Sequence, residues 1–135
     1  SLTHRLSTKG TPMIKGTGVD IIEIDRIKNA IEKDNGFREK LFTKGEMAYC
    51  EAKAKKYQHY AARFASKEAF FKALGTGWRN GMSWTDISIE NNELGKPEIR
   101  LSGETLIYFK KLKLKRTVLS ISHSKDYAVG FVIIE

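Results

Sequence analysis

The fold turns on Arg63-Phe64-Ala65-Ser66-Lys67-Glu68-Ala69-Phe70-Phe71-Lys72-Ala73-Leu74-Gly75. Its spacing predicts the second half of a helix over about Gln58 to Leu74, ended by Gly75 and Gly77. At helical periodicity Phe64, Ala65, Glu68, Phe71 and Lys72 share a face. A carboxylate among two phenylalanines and an alanine suits a dry core poorly, because a buried unpaired charge is costly. It needs a cation. Lys72, four residues on, is one and a metal ion is another. The plain alternative is an exposed Glu68–Lys72 pair, worth only ~0.3–0.5 kcal/mol.

Upstream, Ile14 to Ile24 reads as a strand with Ile14, Gly16, Gly18, Asp20, Ile22 and Ile24 on one face. Aspartate is disfavoured in strands. Gly16 and Gly18 allow another backbone or a ligand to come close, and Asp20 then either faces that neighbour or caps the next segment. Gly16-Thr17-Gly18 is not a dinucleotide fingerprint, since no third glycine opens a helix at the required spacing. Asp25 is placed to cap a helix from Arg26 to about Asp34, which Asn35-Gly36 ends. Thr43-Lys44-Gly45-Glu46 has the form of a capping box for a helix to about Ala54.

Downstream, Ile87 to Glu90 and Glu98 to Leu101 alternate around a turn. Ser102 starts a helix over Gly103 to Lys113, with Leu106, Ile107 and Phe109 as its apolar anchors. Val118 to Ser122 and Tyr127 to Ile134 form a last hairpin around Ser122-His123-Ser124-Lys125-Asp126. The order β-α-α-α-β-β-α-β-β predicts an α+β fold.

With 135 residues, 41% hydrophobic and 30% charged, the chain has the size and balance of one globular domain. Residues 1–12 are polar and aperiodic, and are read as an N-terminal extension or expression remnant before Met13. The domain is placed at residues 13–135. No run approaches the ~20 apolar residues of a membrane span. The single cysteine, Cys50, has no partner within the chain and reads as a buried small hydrophobe, which favours a reducing, cytoplasmic setting. Twenty-four Lys and Arg against sixteen Asp and Glu leave a net charge of +8. Such a surface attracts phosphates, nucleic acid or an acidic protein without choosing among them. The basic runs Lys53 to Lys56 and Lys110 to Arg116 read as solvated surface.

Asp20 and Glu68, carboxylates from two separate elements, are a donor set for Mg²⁺, which takes one or two protein carboxylates and completes its shell with water and phosphate oxygens. Arg63, Lys67 and Lys72 are candidates for those phosphates, and Gly75-Thr76-Gly77 offers backbone amides to an anion. His4, His59 and His123 lack zinc-ligand spacing. His123, between two serines, is a base, a phosphate donor or an ordinary turn residue.

Three motifs in this order resemble one family. They are Gly16-Thr17-Gly18-Val19-Asp20-Ile21, then Arg63-Phe64-Ala65-Ser66-Lys67-Glu68-Ala69 with Lys72 and Gly75-Thr76-Gly77, then Ser120-Ile121-Ser122-His123-Ser124. Together, over Met13 to Glu135, they resemble the 4′-phosphopantetheinyl transferases of the short, holo-acyl-carrier-protein synthase type. Phe37 to Glu46 is similar to the segment between the family's first two motifs. Ser66 stands where the family often has alanine.

The resemblance implies transfer of 4′-phosphopantetheine from coenzyme A to a serine of apo-acyl carrier protein, releasing adenosine 3′,5′-bisphosphate and serving fatty acid biosynthesis. It implies a phosphopantetheinyl transferase fold, a small antiparallel or mixed sheet packed with helices, in a homotrimer with sites between neighbours. Asp20 and Glu68 become the expected ligands of Mg²⁺, with Mn²⁺ as the alternative. Lys72 is expected on the phosphates. Arg63, Gly75, Ser122, His123 and Ser124 are expected on coenzyme A, and Arg26 at the docking site of the acidic carrier. Two other readings fit parts of the chain. A nucleic-acid-binding module explains the charge but lacks aromatics interleaved with the basic residues. A metal-dependent phosphoesterase would use the same carboxylates without a protein acceptor.

Overall fold

The phenylalanine-rich stretch lies in the helix around which the other elements pack. In the computed structural model, which describes residues 13–75 and 81–135, this helix, α4, runs Lys56–Leu74. Ahead of it come β1 (Gly16–Glu23), α1 (Ile24–Glu32), α2 (Phe37–Leu41) and α3 (Lys44–Glu51). After it come a 3-10 turn (Trp84–Asp86), β2 (Ile87–Asn91), β3 (Pro97–Leu101), α5 (Gly103–Lys111), β4 (Thr117–His123) and β5 (Tyr127–Ile134). Both sheets are antiparallel, one ordered β1-β5-β4 and the other β2-β3. The α+β class follows as expected, with α2 and the 3-10 turn as additions too short to leave a periodic signal.

Burial on α4 runs nearly all round, beyond the face that holds Phe64, Ala65 and Phe71. Twelve of its nineteen residues are buried. The reason is that β1 and β5 pack on one side while α1 and α3 pack on others. Phe70 and Phe71 join Val132 and Ile134 in one core cluster, and Tyr60, Ala61 and Ala65 join Ile22, Ile27 and Phe42 in another. Gly75 ends the helix at φ 78°, a left-handed conformation that costs glycine little.

The glycines of β1 set how close sheet and helix come. A Cβ on Gly16 would lie 1.9 Å from the carbonyl oxygen of Ala73, and one on Gly18 2.0 Å from that of Ala69. On β5, a Cβ at Gly130 would lie 2.7 Å from the Cα of Ser66. Of the two approaches that Gly16 and Gly18 left open, backbone or ligand, the neighbour is backbone. Gly130 is the register partner of Asp20, so this contact brings the Asp20 row against α4. Gly18→Ala is expected to cost about 1–3 kcal/mol, the usual range for overpacking, because the obstacle is main chain that no rotamer change relieves. Chemical denaturation of the two proteins measures it, and equal midpoints would exclude the close approach.

On another side of α4 lies a fully buried ion pair. Lys67 Nζ donates to Glu46 Oε1 at 2.7 Å, Leu41 O at 2.6 Å and Trp84 O at 3.2 Å, which uses all three of its protons. Glu46 Oε2 accepts from the Ile89 amide at 2.9 Å. The expected capping box is present: the Glu46 amide donates to Thr43 Oγ1 at 3.2 Å, and the Thr43 amide to Glu46 Oε1 at 2.9 Å. One carboxylate thus caps α3, pairs with α4 and fixes β2.

Several boundaries and packing roles move. The first strand is shorter than expected, because Ile24 already opens α1. Asp25 lies in the first turn, and the N-cap position belongs to Glu23, which makes no side-chain cap bond. The helix expected to reach Ala54 stops at Glu51, and the one expected to reach Lys113 stops at Lys111. On α5, Thr105 and Phe109 are buried while Ile107 is exposed. Burial of Thr105 is supported by its hydroxyl, which donates to Asp86 Oδ2 at 2.9 Å. Cys50 is buried, as read, and desolvation pushes its thiol up to about 12. The reading of residues 1–12 and the part of the glycine signal at Thr76 and Gly77 lie outside the described residues.

Candidate active site

Two clusters of charged side chains form around α4. In the first, β1 and α4 bring Asp20 and Lys72 together: Lys72 Nζ donates to Asp20 Oδ1 at 3.0 Å and to the Val19 carbonyl at 3.0 Å. Glu68, one turn back on α4, is half-buried. Burial holds its carboxyl above the usual range, and the nearby Asp20 charge adds to the rise; Lys72 and Arg26 pull the other way. Arg26, exposed on α1, therefore borders this cluster. Two carboxylates repelling each other between a lysine and an arginine make a place where a cation lowers the energy.

The second cluster forms at the N-terminal part of α4. A groove of about 1020 Å³ is lined in part by Lys28, Lys53, Lys55, Lys56, His123 and Ser124. His123 is the last residue of β4, not the tip of the turn, and one of its ring nitrogens bonds the Gln58 amide at 2.9 Å. Ser124 Oγ accepts from the Tyr127 amide at 3.2 Å and starts the turn. Behind the groove, the guanidinium of Arg63 stacks on Tyr49 at 4.2 Å, with Lys53 over the same ring at 4.7 Å. Arg63 also donates to Asn91 Oδ1 at 2.8 Å, while its Nε is the buried side-chain atom left without a partner among the described residues. Burial holds His59 below the usual imidazole value, helped by the charges of Arg63, Lys53 and His123. These cations crowd one another, which favours an anion between them.

The structure therefore divides the expected residues. Asp20, Glu68, Lys72 and Arg26 meet at one place; His123 and Ser124 line the groove, while Arg63 is buried on Tyr49 and Asn91 outside the groove's lining. Arg63 does not join Lys72, because five residues separate it from Glu68 and that rotation turns it to another side of α4. Lys67 is withdrawn as a phosphate contact: it is fully buried on Glu46. Ser122 lies opposite Val129, on the sheet face that turns away from His123. Gly75 serves as the C-cap of α4. The run Lys53 to Lys56, read as solvated surface, lines the groove instead. Its charge density was legible, but its convergence on His123 depends on the packing of β4 beside α4.

The 4′-phosphopantetheinyl transferase superfamily matches residues 16–132. The chain is 50% identical over 124 residues to a holo-(acyl-carrier-protein) synthase of Geobacter sulfurreducens, covering 91% of this chain and 98% of that protein. Among solved structures, the holo-(acyl-carrier-protein) synthase of Neisseria meningitidis superposes with a TM-score of 0.84 at 35% identity, covering 91% of this chain and 99% of the other. That of Bacillus anthracis, in complex with CoA (3′,5′-ADP), gives 0.74 at 37% identity, covering 92% and 98%.

Proposed function

We propose, from the premise that this chain belongs to the 4′-phosphopantetheinyl transferase superfamily, that it transfers 4′-phosphopantetheine from coenzyme A to a serine of apo-acyl carrier protein, as a holo-(acyl-carrier-protein) synthase serving fatty acid synthesis. The observation that carries the reading is an acidic and a basic cluster at two places along one helix, Asp20 with Glu68 and Lys72, and Lys53, Lys55 and Lys56 with His123.

The acidic cluster fits Mg²⁺, or Mn²⁺ in its place. Asp20 and Glu68 supply two hard oxygen donors, and among the described residues no group of three or more His, Cys, Asp or Glu stands ready to hold a metal. Two carboxylates leave coordination positions for water and phosphate oxygens, as magnesium sites usually do. When bound, the ion neutralises charge on the pyrophosphate and on the leaving group. The remaining work belongs to side chains. The carrier's serine oxygen attacks the phosphorus on the pantetheine side of the pyrophosphate. The bond from that phosphorus to the bridging oxygen breaks, and its electron pair leaves with adenosine 3′,5′-bisphosphate. Glu68 accepts the serine proton. Lys72, beside Asp20, faces the negative charge that develops on the departing phosphate.

The basic groove suits the nucleotide end. Lys53, Lys55, Lys56 and His123 would hold the 3′-phosphate, with Ser124 at the same end; Ser122, on the opposite sheet face, stays outside this groove. Gln58 and Glu68 are ten residues apart, ~15 Å along the helix, yet the 3′-phosphate and the pyrophosphate hang on one ribose. A site completed by two copies removes that mismatch. An apolar row supports it: Val19 faces Phe131 and Ile21 faces Val129 in register on the sheet face away from α4. Val19 is 54% and Ile21 61% exposed, a surface that another copy would cover. We place the enzyme as a homotrimer in the cytoplasm; no helix among the described residues is long and apolar enough to cross a membrane.

Intact mass of apo-carrier before and after incubation with coenzyme A and Mg²⁺ tests the reaction. A gain of one phosphopantetheine is expected; release of nucleotide with no gain in carrier mass would point to a phosphoesterase. Arg26 carries a second prediction. Being exposed beside Glu68, it is placed to steer an acidic partner, and such charges act mainly on encounter. Arg26→Glu is expected to raise KM for the carrier roughly tenfold, the scale of one lost charge contact, with KM for coenzyme A little changed. Equal losses for both substrates would remove the docking role.

A further inference from the structure

The segment Lys110-Lys111-Leu112-Lys113-Leu114-Lys115-Arg116 carries five cations in seven residues and joins α5 to β4. Among the described residues, Arg116 alone of the five has an ion pair, with Glu135. The lysines are exposed. The segment is nevertheless fixed. The amides of Lys115 and Arg116 donate to the Glu135 main-chain oxygen at 2.7 and 3.0 Å, and the Leu114 amide to Phe109 O at 3.2 Å. Lys113 turns the chain in the left-handed region at φ 61°. Four lysines without an ion pair among the described residues thus stand on a fixed stretch of main chain.

Apolar side chains stand among them. Leu112 is 42% exposed, and Ile107, one turn before Lys110 and Lys111 on the same face of α5, is 58% exposed. A cavity of about 290 Å³ is lined by Ile99, Leu101, Phe109, Lys115, Arg116 and Thr117. Glu104 is the one acid on α5, at the far end from the lysines.

We propose that this face docks on the anionic surface of a phospholipid bilayer. The lysines meet headgroup phosphates, and Ile107 and Leu112 enter the boundary between headgroups and acyl chains. Aliphatic side chains among lysines suit such a boundary. A nucleic acid would call instead for exposed aromatic rings for stacking and for arginine forks. The acidic carrier is assigned to another face, around Arg26. This reading does not rest on the transfer reaction, since vesicle binding is measured without coenzyme A or carrier.

Co-sedimentation of the full chain with vesicles decides it. Binding is expected to phosphatidylcholine vesicles holding about 30% phosphatidylglycerol but not to phosphatidylcholine alone, and to weaken as salt rises. The combined change Lys110→Gln, Lys111→Gln, Lys113→Gln and Lys115→Gln should lower partitioning about tenfold or more. Ile107→Ser with Leu112→Ser should weaken binding and make the remainder more salt-sensitive. Should the four-glutamine protein fail to fold, the double serine variant and the salt titration of the wild type carry the comparison. Absence of wild-type binding to anionic vesicles in about 0.1 M salt, or equal binding by the variants, overturns the proposal. So does a four-glutamine protein that keeps its vesicle binding but loses affinity for the carrier or for a random oligonucleotide.

Discussion

Glu68→Gln is expected to lower kcat/KM for carrier modification by roughly 10²–10³-fold, the usual scale for losing one group that stabilises transition-state charge. It is also expected to raise the melting temperature of the metal-free protein at about pH 8. The two effects have one cause. Burial and the nearby Asp20 charge lift the Glu68 carboxyl above its ordinary value in the folded chain. A raised value means that the folded state holds this proton more tightly than the unfolded state does. The associated stability is fully present below the unfolded value, about 4.3, and is lost as pH rises through the folded value. As pH rises through the folded value, the wild type comes to carry an ionised Glu68 at a cost in stability, and glutamine removes that cost. The advantage of the variant should vanish as the solution is acidified below the ordinary glutamate range. Added Mg²⁺ should stabilise the wild type and leave Glu68→Gln nearly unchanged, because ligand binding to the folded state raises stability by mass action. Calorimetry across pH, with and without Mg²⁺, reads all of this. A variant that melts below the wild type at high pH, or that gains as much from Mg²⁺, would remove the account of this carboxylate. This is the usual opposition of function to stability at a site built from like charges.

Lys67→Ala should be the most damaging single change to the fold, at about 3–5 kcal/mol, the range found when one partner of a buried ion pair is removed. Against a typical domain stability of about 5–15 kcal/mol, that leaves a barely folded protein. The residue left behind, Glu46, would keep its bonds from the Ile89 and Thr43 amides but lose its counter-charge. Three segments would lose their link to α4, since Lys67 also binds Leu41 O and Trp84 O. The double change Glu46→Gln with Lys67→Met should cost less than the sum of the two single changes. The glutamine oxygen can still accept from Ile89, and no unpaired charge remains buried. A double-mutant cycle by denaturant unfolding measures the coupling. Strict additivity, or a cost below about 1 kcal/mol for Lys67→Ala, would mean that the pair is not the buried link described.

These residues also mark how far the amino-acid order could be read. Lys67 and Glu68 are neighbours in one motif; Lys67 invited a role at phosphates and Glu68 one at a metal ion. Adjacent helical positions diverge by about a third of a turn, so Glu68 turns toward Asp20 while Lys67 turns into Glu46. Periodicity located the helix. It could not say that both sides of α4 would be covered, because that depends on what the distant β1, β5 and α3 do.

Local chemistry was enough for much of the chain: the capping box at Thr43, the stop at Gly75, the two hairpins, and a first strand whose even positions point inward. These rest on contacts between residues a few positions apart, which sequence spacing encodes. The separation of Asp20 and Glu68 from Arg63 and His123, the recruitment of Lys53 to Lys56 to the groove, and the withdrawal of Lys67 belong to the assembled molecule. Each depends on the axial position and rotation of one helix against a sheet, set by backbone contact at Gly16, Gly18 and Gly130 between segments far apart along the chain.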